Sequence, residues 1–260
     1  MQKERLTIVK VGGAVVEDPQ QCELLLKAFA AIEGKKILVH GGGRTASRIA
    51  SRLGIETRMV DGRRITDADM LRVVVMVYGG IVNKQIVARL QAIGVDAVGL
   101  TGADMDIIRS HRRPVTDGID YGFVGDVDDV DADRLSMLVD GGSVPVVAPL
   151  THDGHGQMLN TNADTIASEV AAAMAGHYNV HLVYAFEKAG VLSIPDDEAS
   201  VIAQIRASEI DSLVAEGIVS GGMIPKLRMA VQAVERGVTD VFITSSNSLA
   251  TLSGTRIVAD

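Results

Sequence analysis

The sequence predicts an α/β protein in which a buried, mostly parallel sheet is covered by helices. Two observations carry this. A short β-rich run that ends in glycines and feeds a helical pattern occurs twice within the first 55 residues, the arrangement of parallel βαβ units whose ligands bind beyond the C-terminal strand ends. The composition agrees: 47% of residues are apolar but only 3% aromatic, so the core must be built from Val, Ile, Leu, Ala and Met, the residues of strands buried on both faces.

The elements follow in order. Leu6 to Val11 is a strand ending at Gly12-Gly13, and Gln20 to Ile32 has apolar residues near helical spacing. Ile37 to Val39 is a strand ending in His40-Gly41-Gly42-Gly43, followed by a helix over Thr45 to Leu53. Thr66 or Asp67 can cap a helix running to about Leu90. Its run Val73 to Val77 is apolar all round, which fits either a subunit interface or an interior helix. Ala97 to Leu100 is a strand, and Tyr121 to Val130 alternates like half of a hairpin. Val144 to Ala148 is strand-like, and His152-Asp153-Gly154-His155-Gly156 reads as a hairpin turn. Thr165 to Ala175, Ala207 to Glu216 and Met223 to Gly237 are helices, the last with Pro225 in its tolerant first turn. His181 to Ala185, Asp240 to Thr244 and Arg256 to Val258 are strands. No linker or repeat interrupts the chain, so any lobe boundary, near residue 176, is compact.

A length of 260 residues suffices for one large α/β domain or two fused lobes. The net charge of −8 argues against a general binder of nucleic acid or anionic membrane. The single cysteine, Cys22, excludes an intramolecular disulfide and a cysteine-based zinc cluster. No signal-peptide pattern opens the chain, and the most apolar helix segment, Met70 to Val82, is shorter than a bilayer span. We expect a soluble, cytoplasmic protein.

Two segments point to chemistry. Asn160-Thr161-Asn162-Ala163-Asp164 puts two amides and a carboxylate at a helix start, and Gly221-Gly222-Met223-Ile224-Pro225-Lys226 puts a lysine at another. Helix N-termini attract anions, so the pair suggests a site that handles phosphate. Lys10 beside Gly12-Gly13 either reaches the surface from a strand end or meets an anion admitted by side-chain-free backbone. Gly41-Gly42-Gly43 favours close ligand approach over a plain turn. No P-loop and no dinucleotide fingerprint occurs in these turns. Arg64 can clamp a carboxylate, or Arg63-Arg64 is a solvated pair. The acidic run Asp126, Asp128, Asp129, Asp131, Asp133 has strand alternation and a helix cap, not a metal-loop spacing. His152 and His155 lack a further ligand set.

Taken as a set, KVGG (10–13), HGGG (40–43), DGRRITD (61–67), NTNAD (160–164), GGMIPK (221–226) and GTRI (254–257) resemble the amino acid kinase family, and within it the N-acetylglutamate kinase branch. The resemblance spans essentially the whole chain. It implies a three-layer αβα sandwich with an open, mainly parallel central sheet. An N-lobe, about 1–175, would bind the acylglutamate and dimerise, and a C-lobe, about 176–260, would bind the nucleotide. It implies phosphoryl transfer from ATP, with Mg2+ held mainly through the nucleotide, to the γ-carboxylate of N-acetyl-L-glutamate in arginine biosynthesis. The alternatives are the same reaction on N-succinyl-L-glutamate, another acceptor within the family, or a non-catalytic amino-acid sensor on the same fold.

By motif, Lys10 and Lys226 would hold the transferring group from two sides while Asp164 orients both. Gly42 and Gly43 would offer N–H groups, and Arg64 and Asn160 would bind the acceptor's α-carboxylate and amide. The nucleotide would lie near Gly12 and Gly13, along Glu187, Gly190, Val191 and Leu192, and along Ile218, Val219 and Ser220. Three features depart from the family pattern. Tyr184-Ala185-Phe186-Glu187 replaces the usual Thr-Asp-Val region, with Glu187 standing for the aspartate. Arg63 replaces an uncharged residue; we expect an exposed, inert charge there, the alternative being an extra cation for a longer, charged acyl group. The chain also starts almost directly at the first strand, which predicts a homodimer without arginine feedback.

Overall fold

The computed structural model describes residues 3–260 apart from 61, 187, 195, 196, 220 and 222. Two of the expected nucleotide contacts, Glu187 and Ser220, therefore lie outside the described residues.

The first strand, Arg5–Val11, runs through the middle of a sheet that has eight strands among the described residues. Across the sheet the order is Gln204–Arg206, Thr255–Val258, Asp240–Ser245, Asn179–Phe186, Arg5–Val11, Lys35–His40, Val144–Val147 and Ala97–Leu100. Every neighbouring pair is parallel except Asp240–Ser245 with Thr255–Val258. Strand alternation sends residues to opposite faces. Leu6 and Ile8 join Ile37 and Val39 in a core covered by the helices Ala132–Asp140, Ala163–Met174 and Met223–Glu235. Val9 and Val11 join Leu38 in a second core covered by Pro19–Ala30, Gly43–Arg52 and the helical run from residue 68 to 92. The result is the expected sandwich of three layers, helix, sheet and helix.

A smaller sheet, ordered Met158–Asn160, Leu150–His152, Ile108–Arg112 and Gly125–Val130, sits over the C-terminal strand ends. It contains the expected hairpin turn at residues 153–157, and it carries Asn160 to the site. The acidic run lies largely on its edge: Asp126 pairs with Arg113, Asp128 with His111, and Asp131 caps the helix Ala132–Asp140.

Ala68–Val74, Val75–Val82 and Asn83–Ala92 form one continuous helical run, opened by Asp67, whose side chain accepts from the Met70 N–H. Its middle, Val75–Val82, is a π-helix that includes Gly79 and Gly80. The run is 25 residues long and contains an 18-residue window of mean hydropathy 1.4, so length and composition alone would admit a span, but half of that window is buried inside the fold. It is nonetheless built into the fold: Met70, Val73, Val74, Val77, Tyr78 and Val82 are buried. Met76 and Ile81 remain exposed on its outer face.

The short helix Gly13–Glu17 goes beyond the elements predicted in order, Ala132–Asp140 follows the cap read at the end of the acidic run, and the predicted 207–216 helix is a 3₁₀ turn, Ala207–Glu209, followed by Ile210–Ala215. Five residues are too few to show a helical period in sequence.

Candidate active site

Lys10 continues the alternation of Leu6 and Ile8, so its side chain faces the helix Ala163–Met174 rather than solvent; only 8% of that side chain is exposed. Its Nζ stands 2.7 Å from Asp164 Oδ1. The carboxylate is in place because Asn162 caps that helix, its Oδ1 accepting from the N–H groups of Asp164 at 2.7 Å and Thr165 at 3.3 Å. In N-T-N-A-D the second asparagine starts the helix and the aspartate presents the charge.

Phe186 lies at the end of the strand paired with Lys10's own. Its ring centroid is 5.2 Å from Lys10 Nζ and 3.6 Å from Lys226 Nζ. Two cations from opposite ends of the chain thus contact one aromatic ring. The Tyr184 ring stacks against Phe186 at 6.0 Å, the planes inclined by 8°. Phe186 was not among the predicted site residues; the signal for it was the departure from the family pattern at this segment.

The two glycine turns touch. A Cβ on Gly41 would stand 3.0 Å from Gly13 N, and one on Gly42 would stand 3.0 Å from the Tyr78 ring. Close packing of backbone on backbone is therefore a demand on these glycines in its own right, alongside any ligand. Gly12 has open space where a side chain would be. His40, fully buried, fixes the turn: its Nδ1 is 2.9 Å from Gly41 O and its Nε2 3.1 Å from Asn83 Nδ2. Asn83 also donates to Val146 O. Burial holds His40's pKa down to about 4, so the ring is neutral, donating from Nδ1 and accepting at Nε2.

Arg64 is buried, and its terminal nitrogens donate to Gly43 O and Ser47 Oγ, both at 2.9 Å, and to Thr57 Oγ1 at 3.2 Å. No described carboxylate pairs with it. Thr66, wholly buried, donates to Arg64 O and accepts from Asn160 Nδ2 at 2.9 Å. The threonine of R-x-T is what joins the predicted arginine to the predicted asparagine. Arg63 is not the exposed charge expected. It is half-buried and lines the same cavity as Lys10, Arg64, Asn160 and Asp164, about 200 Å³ in volume. Burial first, then the Arg113 charge, disfavour its charged form.

A second, wider cleft of about 610 Å³ is lined by Gly12, Gly13, Phe186, Lys188 and Lys226. Gly43 lines both cavities. The predicted catalytic and acceptor residues are thus brought together at the junction. Gly190, Val191, Leu192, Ile218 and Val219 line neither cavity, and the side chains of Val191 and Val219 enter the core. Val191 N–H donates to Thr255 Oγ1. Any nucleotide contact by Val191 or Val219 must come from backbone.

The arrangement can hold an anion between two cations, above glycine backbone, with a separate cationic pocket next door. Residues 5–245 match the amino acid kinase family. The acetylglutamate kinase of Bacteroides fragilis is 59% identical over 255 residues, covering 98% of this chain and 97% of its own. Among solved structures, a Streptococcus mutans protein superposes with a TM-score of 0.79 at 26% identity, covering 98% of this chain and 99% of its own. The N-acetylglutamate synthase of Neisseria gonorrhoeae, complexed with coenzyme A and N-acetyl-glutamate, gives 0.82 at 23% identity, with 100% and 60% covered, a likeness of fold. With its motifs gathered at the two cavities and that match over nearly its whole length, the chain belongs to the amino acid kinase family.

Proposed function

We propose that this protein transfers the γ-phosphoryl group of ATP to the γ-carboxylate of N-acetyl-L-glutamate, giving N-acetyl-L-glutamyl 5-phosphate in arginine biosynthesis. The observation that carries the reading is the junction itself: Lys10 in one cavity and Lys226 in the other both contact the Phe186 ring, and Gly43 lines both cavities. The names and identities of the relatives support it.

The acceptor carboxylate is already ionised near neutral pH, so no general base is needed. One of its oxygens forms the new bond to phosphorus as the bond to the bridging oxygen of ADP breaks. Charge spreads over the transferring oxygens, and catalysis consists mainly of positioning and neutralisation. In this reading Lys10 and Lys226 flank the transferring group, and Asp164 aims Lys10 through their 2.7 Å contact. Gly42 and Gly43 offer N–H groups. Arg64 and Asn160 hold the α-carboxylate and amide. Magnesium, carried by the nucleotide, supplies further neutralisation of phosphate charge when bound. The wider cleft, with Gly12, Gly13 and Lys226, fits the nucleotide's phosphate end. Division into an acceptor lobe to about residue 175 and a nucleotide lobe beyond it is consistent with this. A homodimer packed through Met76 and Ile81 is part of the proposal, testable by light scattering.

A sensor without catalysis needs neither paired lysine nor aspartate, and the buried Lys10–Asp164 pair speaks against it. The test is ATP-dependent formation of an acyl phosphate, trapped with hydroxylamine. A folded protein that forms none with N-acetyl-L-glutamate overturns the reading.

A further inference from the structure

We propose that Tyr78 is a specificity-determining residue of the acceptor cavity: its phenol O–H supplies, beside Arg64, the second hydrogen bond to the acceptor's α-carboxylate. The inference rests on the phosphoryl-transfer reading above and adds a donor to it.

Arg64 is held too firmly to grip a carboxylate alone. A guanidinium has five N–H groups and no acceptor. Those on its terminal nitrogens are turned to protein partners. Nη2 donates to Gly43 O and Ser47 Oγ, both at 2.9 Å. Nη1 donates to Thr57 Oγ1 at 3.2 Å and, more weakly, to Met70 Sδ at 4.0 Å. Among the described residues only the Nε–H has no acceptor. The two parallel hydrogen bonds that make an arginine–carboxylate contact strong therefore need a second donor.

Tyr78 lines the same cavity and is 5% exposed. Its ring lies against Gly42, where a Cβ would stand 3.0 Å from Cδ1 and 3.2 Å from Cε1. The hydroxyl reaches on to Gly43: a Cβ there would stand 3.9 Å from Tyr78 Oη and 3.6 Å from Arg64 Nη2. The phenol and the guanidinium thus sit side by side at the glycine turn. Burial pushes the phenol's pKa up, and the Arg64 charge pulls the other way, so the hydroxyl keeps its hydrogen at neutral pH. Arg64 cannot accept that hydrogen, and no described residue does. A buried Tyr O–H usually has a partner; here the cavity is the place for one.

The backbone around Tyr78 fits a functional position. It falls within the π-helical stretch Val75–Val82 and is followed by Gly79 and Gly80. π-helical turns are rare and gather at functional sites, and glycines weaken a helix interior. Local helix stability is given up where this side chain enters the cavity.

The test uses the full chain with ATP, read by hydroxylamine trapping. N-acetyl-L-glutamate is the acceptor, and its α-amide, which keeps the γ-carboxylate, is measured by its Ki against it. Tyr78→Phe keeps the ring on Gly42 and removes only the hydroxyl. The KM for N-acetyl-L-glutamate should rise about tenfold, the scale of one hydrogen bond to a charged group, with the KM for ATP unchanged within about twofold. The Ki of the α-amide, whose oxygen is neutral, should rise less than about threefold. Equal losses for acid and amide, or no loss for the acid, overturn the inference and leave the kinase reading in place. Tyr78→Met, without a ring, should show the same difference between acid and amide, so either variant decides if the other fails to fold. Wild-type protein that turns over no N-acetyl-L-glutamate overturns the kinase reading, and this inference with it.

Discussion

Lys10 Nζ stands 2.7 Å from Asp164 Oδ1, the lysine on the central strand and the aspartate in the first turn of the helix that covers it. The pair is mostly shielded from water, with side chains 8% and 19% exposed. Breaking such a pair leaves a buried charge without compensation. Asp164→Asn should lower kcat by about 10²–10³-fold, the scale of losing one preorganised electrostatic contact. Stopped-flow or trapped-product kinetics check this. A kcat within a few-fold of wild type contradicts the placement of Asp164 at the reaction centre.

The Phe186 ring contacts both lysines, at 5.2 Å from Lys10 Nζ and 3.6 Å from Lys226 Nζ. Phe186→Leu keeps apolar bulk and removes the quadrupole, worth about 0.5–2 kcal/mol per well-placed cation. Turnover should fall, with the KM for ATP raised, and Phe186→Tyr should restore most of it. Equal activity of the leucine and tyrosine variants would mean that the ring is packing alone.

Thr66 links Arg64 and Asn160 through one hydroxyl. Thr66→Val leaves the buried Asn160 amide without that acceptor, a cost of about 1–3 kcal/mol. The acceptor KM should rise several-fold with the KM for ATP little changed. Arg64→Ala should raise the acceptor KM more steeply. A shift of both KM values together in Thr66→Val would point to general loosening of the fold.

His40 links protonation to stability. Its folded pKa, about 4, lies below the ordinary histidine value because the ring is buried. The unfolded chain takes up the proton first, so stability is complete above about pH 6.5 and is lost as pH falls towards 4, at up to ~1.4 kcal/mol per pH unit. Urea unfolding between about pH 7 and pH 5 should show a steeper loss in wild type than in His40→Gln, whose remaining groups titrate alike. Parallel slopes in the two proteins contradict the assignment of a buried neutral ring.

Much of the architecture was legible in sequence because it depends on period and turn residues. The aliphatic strands, their glycine ends and the capped helix after Asn162 each announce themselves locally. Arg63 was misjudged because a charged pair in sequence does not say which side chain turns inward. Phe186, His40 with Asn83, and Thr66 were not identified as site-builders. Their roles come from contacts between distant segments, such as Asn83 with His40, which no local pattern encodes. The helical run from the Asp67 cap to about Leu90 was legible from its cap and apolar pattern, and the structure carries it to Ala92; the π-helical stretch Val75–Val82 in its middle was not.

The most direct test of the central claim is the turnover of Lys226→Ala with N-acetyl-L-glutamate and ATP, read by hydroxylamine trapping, beside an unfolding curve. The account predicts a kcat lowered by about 10²–10³-fold or more with stability close to wild type. Near-normal turnover in that variant would contradict a phosphoryl group held between Lys10 and Lys226.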